Sequence, residues 1–443
     1  MTAQRFSLGE HICVRRNSGQ YGNTEKRLRP RPCSGHRTRG GQVLPGVYSM
    51  NFEHCIRCTV CVENCPVLRV NPDFPGPKQA GPDAQRFRMD REKSPDHWVL
   101  LCNQCKRCDI SCPCGVEPAQ IILEAQQKYG QEHPLSPAHL LFANNYYLSA
   151  LGSFLAPVAN LIASTETGKK IFRPLGISTY IPFPKFRFRN LHSEKKARGK
   201  GIKKVAFFYG CFIDFYRPDI GRKIIRLLNS FQVDVVLPPQ WCCGLPALGN
   251  GNLALARFFA QKNAASLSNY IDAGYDIVYS CTSCGLALLH DYPGIMNIPQ
   301  GKKIAESVYN IHEYILKMIA DGQIKPQFRK LERRLAYHIP CHLRAMGIGY
   351  PAAKLMSLIP GLKAEILDDA CCGLSGSYGF KKSNEFAAIQ IGKRAVAHIQ
   401  KTGAQEIVAD CGSCRMQLEG LSGIKALDPA EIISESLGIT LEK

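Results

Sequence analysis

The chain has 443 residues, roughly three domains by length, and 45% of them are hydrophobic, too many for wholesale disorder. Its net charge of +20 admits nucleic acid, an anionic lipid surface or an acidic protein as partner and does not choose among them. The 21 cysteines fall in C-x-x-C clusters, which read as metal ligands in a reducing compartment rather than as disulfides.

Residues 1–49 hold nine Lys and Arg against two acids, with no periodicity and no apolar signal core. They are expected to be a disordered basic extension, with Met50 as an alternative first residue. Residues 50–135 form the first predicted domain. Cys55, Cys58, Cys61 and Cys65 precede Pro66 in a C-x-x-C-x-x-C-x-x-x-C-P run, and Cys102, Cys105, Cys108 and Cys112 precede Pro113 in a second. Zinc sites pair two C-x-x-C knuckles. The present pattern is instead that of [4Fe–4S] clusters, in which three closely spaced thiolates hold one cluster and the fourth ligates the other. Cys112 is therefore expected to complete the first metal set and Cys65 the second, with Cys114 an unliganded neighbour of the second. The 36 residues between Cys65 and Cys102, and apolar runs such as Ile121–Leu123, favour an α-helical ferredoxin-like arrangement.

Residues 136–202 are predicted to be an amphipathic helix and a basic linker. Asn145, Ser149, Ser153, Asn160 and Ser164 make one narrow polar stripe on an otherwise apolar helix between Leu140 and Ser164, with a kink expected at Pro157. Residues 168–204 then hold twelve Lys and Arg against one acid, Glu194. An apolar helix beside such a run fits an anionic membrane surface; the alternative is a buried helix with a solvated linker. No run of 18 clean apolar residues exists, which argues against an ordinary transmembrane helix. Phe183, Phe186 and Phe188 interleave the cations, but a nucleic-acid role is not expected beside so many redox motifs.

From Lys203 the texture becomes α/β. Strands are predicted at Val205–Tyr209, Val233–Leu237, Ile277–Tyr279, Leu335–Ile339 and Glu406–Asp410. Two modules follow, 203–330 and 331–443. Cys211 recurs as Cys341, Cys242-Cys243-Gly244 as Cys371-Cys372-Gly373, and Cys281-x-x-Cys284 as Cys411-x-x-Cys414, at offsets of 129 or 130 residues. Five cysteines repeating in order mark an internal duplication of one α/β unit. Ligands of open α/β sheets bind beyond the carboxyl ends of strands, so each five-cysteine set is expected to converge there on a redox iron–sulfur centre, with zinc the alternative. Gly244 and Gly373 let the backbone turn close to that centre. Cys341 and His342 are expected to point to opposite faces of a strand end, which argues against a nucleophile–base pair. No G-x-G-x-x-G follows a first strand, so no flavin or NAD site is read here. No catalytic residue is assigned.

The segments CIRCTVCVENCPV, NPDFPGPKQAGPD, CNQCKRCDISCP, YGCF, CCGLP, HIPCH and CCGLSGSYGFKK give residues 51–436 a resemblance to the family of the C subunit of anaerobic glycerol-3-phosphate dehydrogenase. The Cys-Cys-Gly modules are also similar to the B subunit of heterodisulfide reductase. The resemblance implies two [4Fe–4S] clusters in the ferredoxin-like domain and one or two non-cubane [4Fe–4S] clusters in the modules, held by Cys211, Cys242, Cys243, Cys281 and Cys284 and by Cys341, Cys371, Cys372, Cys411 and Cys414. It further implies an electron-transfer subunit that takes electrons from flavoprotein dehydrogenase subunits towards quinone, peripheral on the cytoplasmic face of a bacterial inner membrane. The alternatives it leaves are a thiol–disulfide redox subunit like heterodisulfide reductase, or an iron–sulfur partner of another FAD-linked oxidase.

Overall fold

The structure is a computed structural model that describes residues 52–89, 96–193, 201 and 203–439; the basic extension and residues 194–200 of the basic run lie outside the described residues. Among the described residues, 52–193 hold helices and turns and no strand. The longest helix of the ferredoxin-like part, Pro118–Glu132, starts on a proline, whose missing N–H costs nothing in a first turn. It buries Ile121, Ile122 and Ala125. Gln126 Nε2 on that buried side donates to the carbonyls of Val99 at 2.6 Å and Cys102 at 3.4 Å, which fixes the entry to the second cysteine run. Gln127 Nε2 reaches the Leu248 carbonyl at 2.8 Å and ties the helix to the first module.

Each module is a four-stranded parallel sheet. The first contains β1 (Lys203–Phe208), β2 (Val233–Val236), β3 (Asp276–Tyr279) and β4 (Val308–Asn310), in the order β2-β1-β3-β4. The second contains β5 (Arg333–His338), β6 (Leu362–Leu367), β7 (Glu406–Val408) and β8 (Ala426–Leu427), in the order β6-β5-β7-β8. The register repeats as well: Val205 pairs with Asp276, and Leu335, 130 residues on, pairs with Glu406. Val205 to Phe208 are all buried, as expected of a parallel strand covered on both faces. Crossover helices do the covering; in Pro218–Ser230 the buried Ile220, Ile224, Leu227 and Leu228 recur at helical spacing. The two modules share one continuous core that contains Phe207 and Tyr279 from the first and Leu335 and Tyr337 from the second.

The expected single helix with a kink is instead two helices, Asn145–Phe154 and Ala156–Ser164, bent by 108°. Pro157 lies in the first turn of the second, where it starts a helix rather than bending one. The polar stripe faces inward except at its exposed end, Ser164. Ser149 Oγ lies 2.7 Å from the Tyr216 hydroxyl, Ser153 Oγ donates to the Phe215 carbonyl at 3.4 Å, and Asn160 exchanges two hydrogen bonds with the Phe186 backbone. A Cβ at Gly152 would lie 2.5 Å from the Phe186 ring, so only glycine lets that ring seat against the helix. The apolar residues face out: Tyr147, Leu148, Leu151, Phe154, Leu155, Val158, Leu161 and Ile162 are all exposed. Lys170, Arg173, Lys185, Arg187 and Arg189 are exposed on the segment that follows. No single described helix is long and apolar enough to cross a membrane.

Candidate metal centres

The nineteen described cysteines are all free thiols, and eighteen of them gather into four sets. Cys55, Cys58, Cys61 and Cys112 line one small pocket. Burial pushes the Cys61 thiol up to about 11, helped by the neighbouring Cys55, Cys112 and Cys58. Cys102, Cys105, Cys108 and Cys65 form the second set: burial drives Cys102 up to about 12, with Cys65 adding to it, and raises Cys105 and Cys108 far above a normal thiol with Cys65 among their charged neighbours. The chain thus brings Cys112 to the first run and Cys65 to the second. Cys114 lines the first pocket, not the second as expected, because it follows Cys112-Pro113 across to that side.

The backbone repeats around both runs. Arg57 and Thr59 flank Cys58 with φ of 57° and 63°, and Gln104 and Lys106 flank Cys105 with φ of 56° and 57°. Non-glycine residues in this region cost on the order of 1 kcal/mol each and persist where the surroundings require them. Here they curl two short loops around a common centre. Lys106 is half-buried beside Asp109, at 3.6 Å, and donates to Gln120 Oε1 at 3.2 Å. Burial opposes its charge, but Asp109, Asp291 and Glu117 outweigh burial and raise its pKa.

In both modules the cysteines follow strand ends and meet. The sulfurs neighbour one another in the order Cys211–Cys242–Cys243–Cys284–Cys281 in the first module. They run Cys341–Cys371–Cys372–Cys414–Cys411 in the second, the same order. Gly244 and Gly373 adopt φ of 90° and 88°, and a Cβ there would lie 2.9 Å from the Ala256 carbonyl oxygen or 2.3 Å from that of Ala388. The glycines therefore let each cysteine pair turn back over its own helix, as the sequence leads one to expect. Cys341 and His342 do not sit on a strand end. They open the helix Cys341–Met346, because Pro340 ends the strand and starts the helix. Successive helical residues point about 100° apart, so Cys341 faces its set while His342 turns towards the first module.

The sets are neighbours. Cys65 and Cys105 share a buried cluster with Cys341 and Cys371, and Asn103 Nδ2 lies 3.9 Å from Cys371 Sγ. His342 Nδ1 lies 3.0 Å from Ser283 Oγ of the first module. Burial, then Lys106, lowers its pKa to about 4 and keeps the ring neutral. Asn103, Lys106 and Ser283 carry no spacing signal and escape a reading of the sequence. His338 escapes it too, although it stands where the first module has Phe208, an imidazole in a strand position that is apolar in the other copy. Its pKa is lowered to about 4, chiefly by burial. Its Nε2 has no hydrogen-bond partner in the protein, and a buried polar atom left unsatisfied costs about 1–3 kcal/mol.

A 4Fe-4S dicluster domain family matches residues 51–116, and a cysteine-rich domain family matches residues 205–289 and again 335–419. Over 394 residues the chain is 32% identical to the C subunit of anaerobic glycerol-3-phosphate dehydrogenase from Escherichia coli, covering 87% of this chain and 99% of that one. The chain belongs to this C-subunit family. It is 25% identical to the B subunit of the fumarate reductase (CoM/CoB) of Methanothermobacter marburgensis, over 86% of this chain and 71% of that one. It is 23% identical to the D subunit of the dihydromethanophenazine:CoB–CoM heterodisulfide reductase of Methanosarcina barkeri, over 90% and 97%. As a member of the C-subunit family it is an iron–sulfur electron-transfer protein, with an α-helical ferredoxin-type domain followed by two α/β cysteine-rich domains. The donor sets fit such a cofactor: they are all thiol, mostly buried or half-buried with Cys58 exposed, and grouped so that cations among them relieve the repulsion between thiolates.

Proposed function

We propose that this chain carries electrons from a flavoprotein dehydrogenase, oxidising glycerol 3-phosphate, towards membrane quinone, and that it does so from the surface of the membrane. Iron–sulfur clusters supply one-electron storage and transfer when bound. Cys55, Cys58, Cys61 and Cys112 would hold the first, and Cys65, Cys102, Cys105 and Cys108 the second. Each module's five cysteines would hold one more, of the non-cubane kind.

The observation that carries this reading is the contiguity of the sets. The second ferredoxin-type set abuts the second module through Cys105, Asn103 and Cys371, and the second module reaches the first through His342 and Ser283. On this reading the centres would pass electrons from the first run to the second and on to the two modules. The buried amide of Asn103 and the half-buried ring of His342 occupy the two junctions and hold the spacing between them.

Membrane attachment rests on the outward apolar face of the bent helix pair and the exposed cations after it. An apolar face beside Lys and Arg matches an anionic lipid surface, where burial and charge act together.

Full-length protein, purified anaerobically with its flavoprotein partners from membranes, tests the whole reading. Glycerol 3-phosphate is expected to reduce all four centres, and a water-soluble quinone to reoxidise them. Substrate-independent spectra with an intact flavoprotein present would sink it.

A further inference from the structure

We propose that His338 is a nitrogen ligand of the metal centre in the second module, which makes the two duplicated centres chemically unlike. The inference rests on the reading of that module as a metal site and adds a ligand to it. A ring nitrogen of His338 and the sulfurs of Cys372 and Cys414 all lie within 4.8 Å of one another, and all three residues are buried. Cys371 is a further charged neighbour of the ring. The buried Nε2 atom has no protein partner, so the ring carries an unused donor beside a group of thiols.

The position in the fold agrees. His338 is the last residue of β5, at the carboxyl end of the strand, where sheets of this kind present their ligand-binding groups. Phe208 ends β1 in the same register and is fully buried in the first module's core. The duplication therefore supplies its own control: one fold, one set of five cysteines, and an imidazole in only one copy. A neutral imidazole brings no negative charge, so a thiolate put in its place would lower the potential of that centre.

The test uses the full chain loaded with iron and sulfide under anaerobic conditions, with and without ¹⁵N-histidine, read by pulsed electron paramagnetic resonance. The expected result is a nitrogen coupling that follows the isotope, persists in His342→Gln and disappears in His338→Phe, the residue the first module carries. His338→Cys is expected to keep the iron content, lose the coupling and lower the midpoint potential of that one signal. A fully iron-loaded protein with no isotope-sensitive coupling, or a coupling that survives His338→Phe, overturns the proposal. If the second module takes up zinc instead, the iron–sulfur reading of that module falls. In that case zinc-edge absorption showing a nitrogen ligand still supports His338, and an all-sulfur shell overturns it.

Discussion

Replacing Phe154 and Leu161 with Ser removes two side chains that the fold leaves 72% and 65% exposed. Full burial of a residue of this kind contributes about 1.5–3 kcal/mol. Scaled by the exposed fraction, each contributes about 1–2 kcal/mol to seating the helix pair in a bilayer, and the two together about 3 kcal/mol. That is roughly a hundredfold in partitioning. Folding loses little, because neither side chain is packed, and surface changes of this sort stay within about 0.5 kcal/mol. Sedimentation with vesicles of phosphatidylglycerol and phosphatidylethanolamine at low and high salt reads the effect directly. The Ser pair weakens binding at both salt concentrations. Lys170→Gln with Arg173→Gln weakens it at low salt only, by about 1 kcal/mol for each cation near the surface. Ser149→Leu is the inverse control: it forces an apolar side chain against the buried Tyr216 hydroxyl and lowers the melting temperature. The reasoning fails if the Ser pair loses iron or melts early while vesicle binding per folded molecule is unchanged, since the face would then be a core element or a partner's seat.

Cys65→Ser disturbs the spectroscopic signal of the Cys102, Cys105 and Cys108 set more than that of its own run; the opposite result would show that each run closes its own cluster. Anaerobically purified protein carries well above about eight irons per chain, the number two cubane clusters account for, and iron analysis with thiol counting decides it. Gly373→Ala places a Cβ 2.3 Å from the Ala388 carbonyl at a φ of 88° and destabilises by about 2 kcal/mol or more, seen as a fall in melting temperature with loss of iron from the second module. Burial, with Lys381 adding to it, holds His139 at about 3, whereas the unfolded chain takes up that proton near its ordinary pKa of about 6.5. Stability is therefore lost as pH falls from about 6.5 towards about 3, and His139→Gln flattens that slope in urea titrations between about pH 7.5 and about pH 5.

Spacing made the cysteines legible. Metal ligands on loops and strand ends obey local distance rules, and a duplication prints those rules twice, so the four gatherings and the parallel modules were open to reading. Three strands were not. β8 has two residues, β4 has three, and β6 at a sheet edge exposes Lys363, Glu365 and Ile366 and buries none of its residues fully, so none shows the apolar run of a central strand. The stripe on Leu140–Ser164 was visible, but its direction was not, because a polar stripe that finds Tyr216 and Phe186 can be the buried one. Asn103, His338 and Ser283 acquire their neighbours only through tertiary packing, across as many as 268 residues for Asn103 and Cys371.

Cys65 leaves its own run for the Cys102 set, and Cys112 makes the return journey, so the two loops are laced through each other. A chain laced this way has no half-built stage in which one set is complete and the other run hangs free. Iron held at either set would then tether both loops, and a lesion in one set would loosen a residue of the other run. Cys58 is the exposed member of the first set and the first to meet an oxidant. Its loss slackens Cys112, and with it the end of the loop that holds Cys105 and Cys108 beside the second module. A lesion at this exposed sulfur would then be carried through Cys112 to the run whose Cys105 lies in one buried cluster with Cys371.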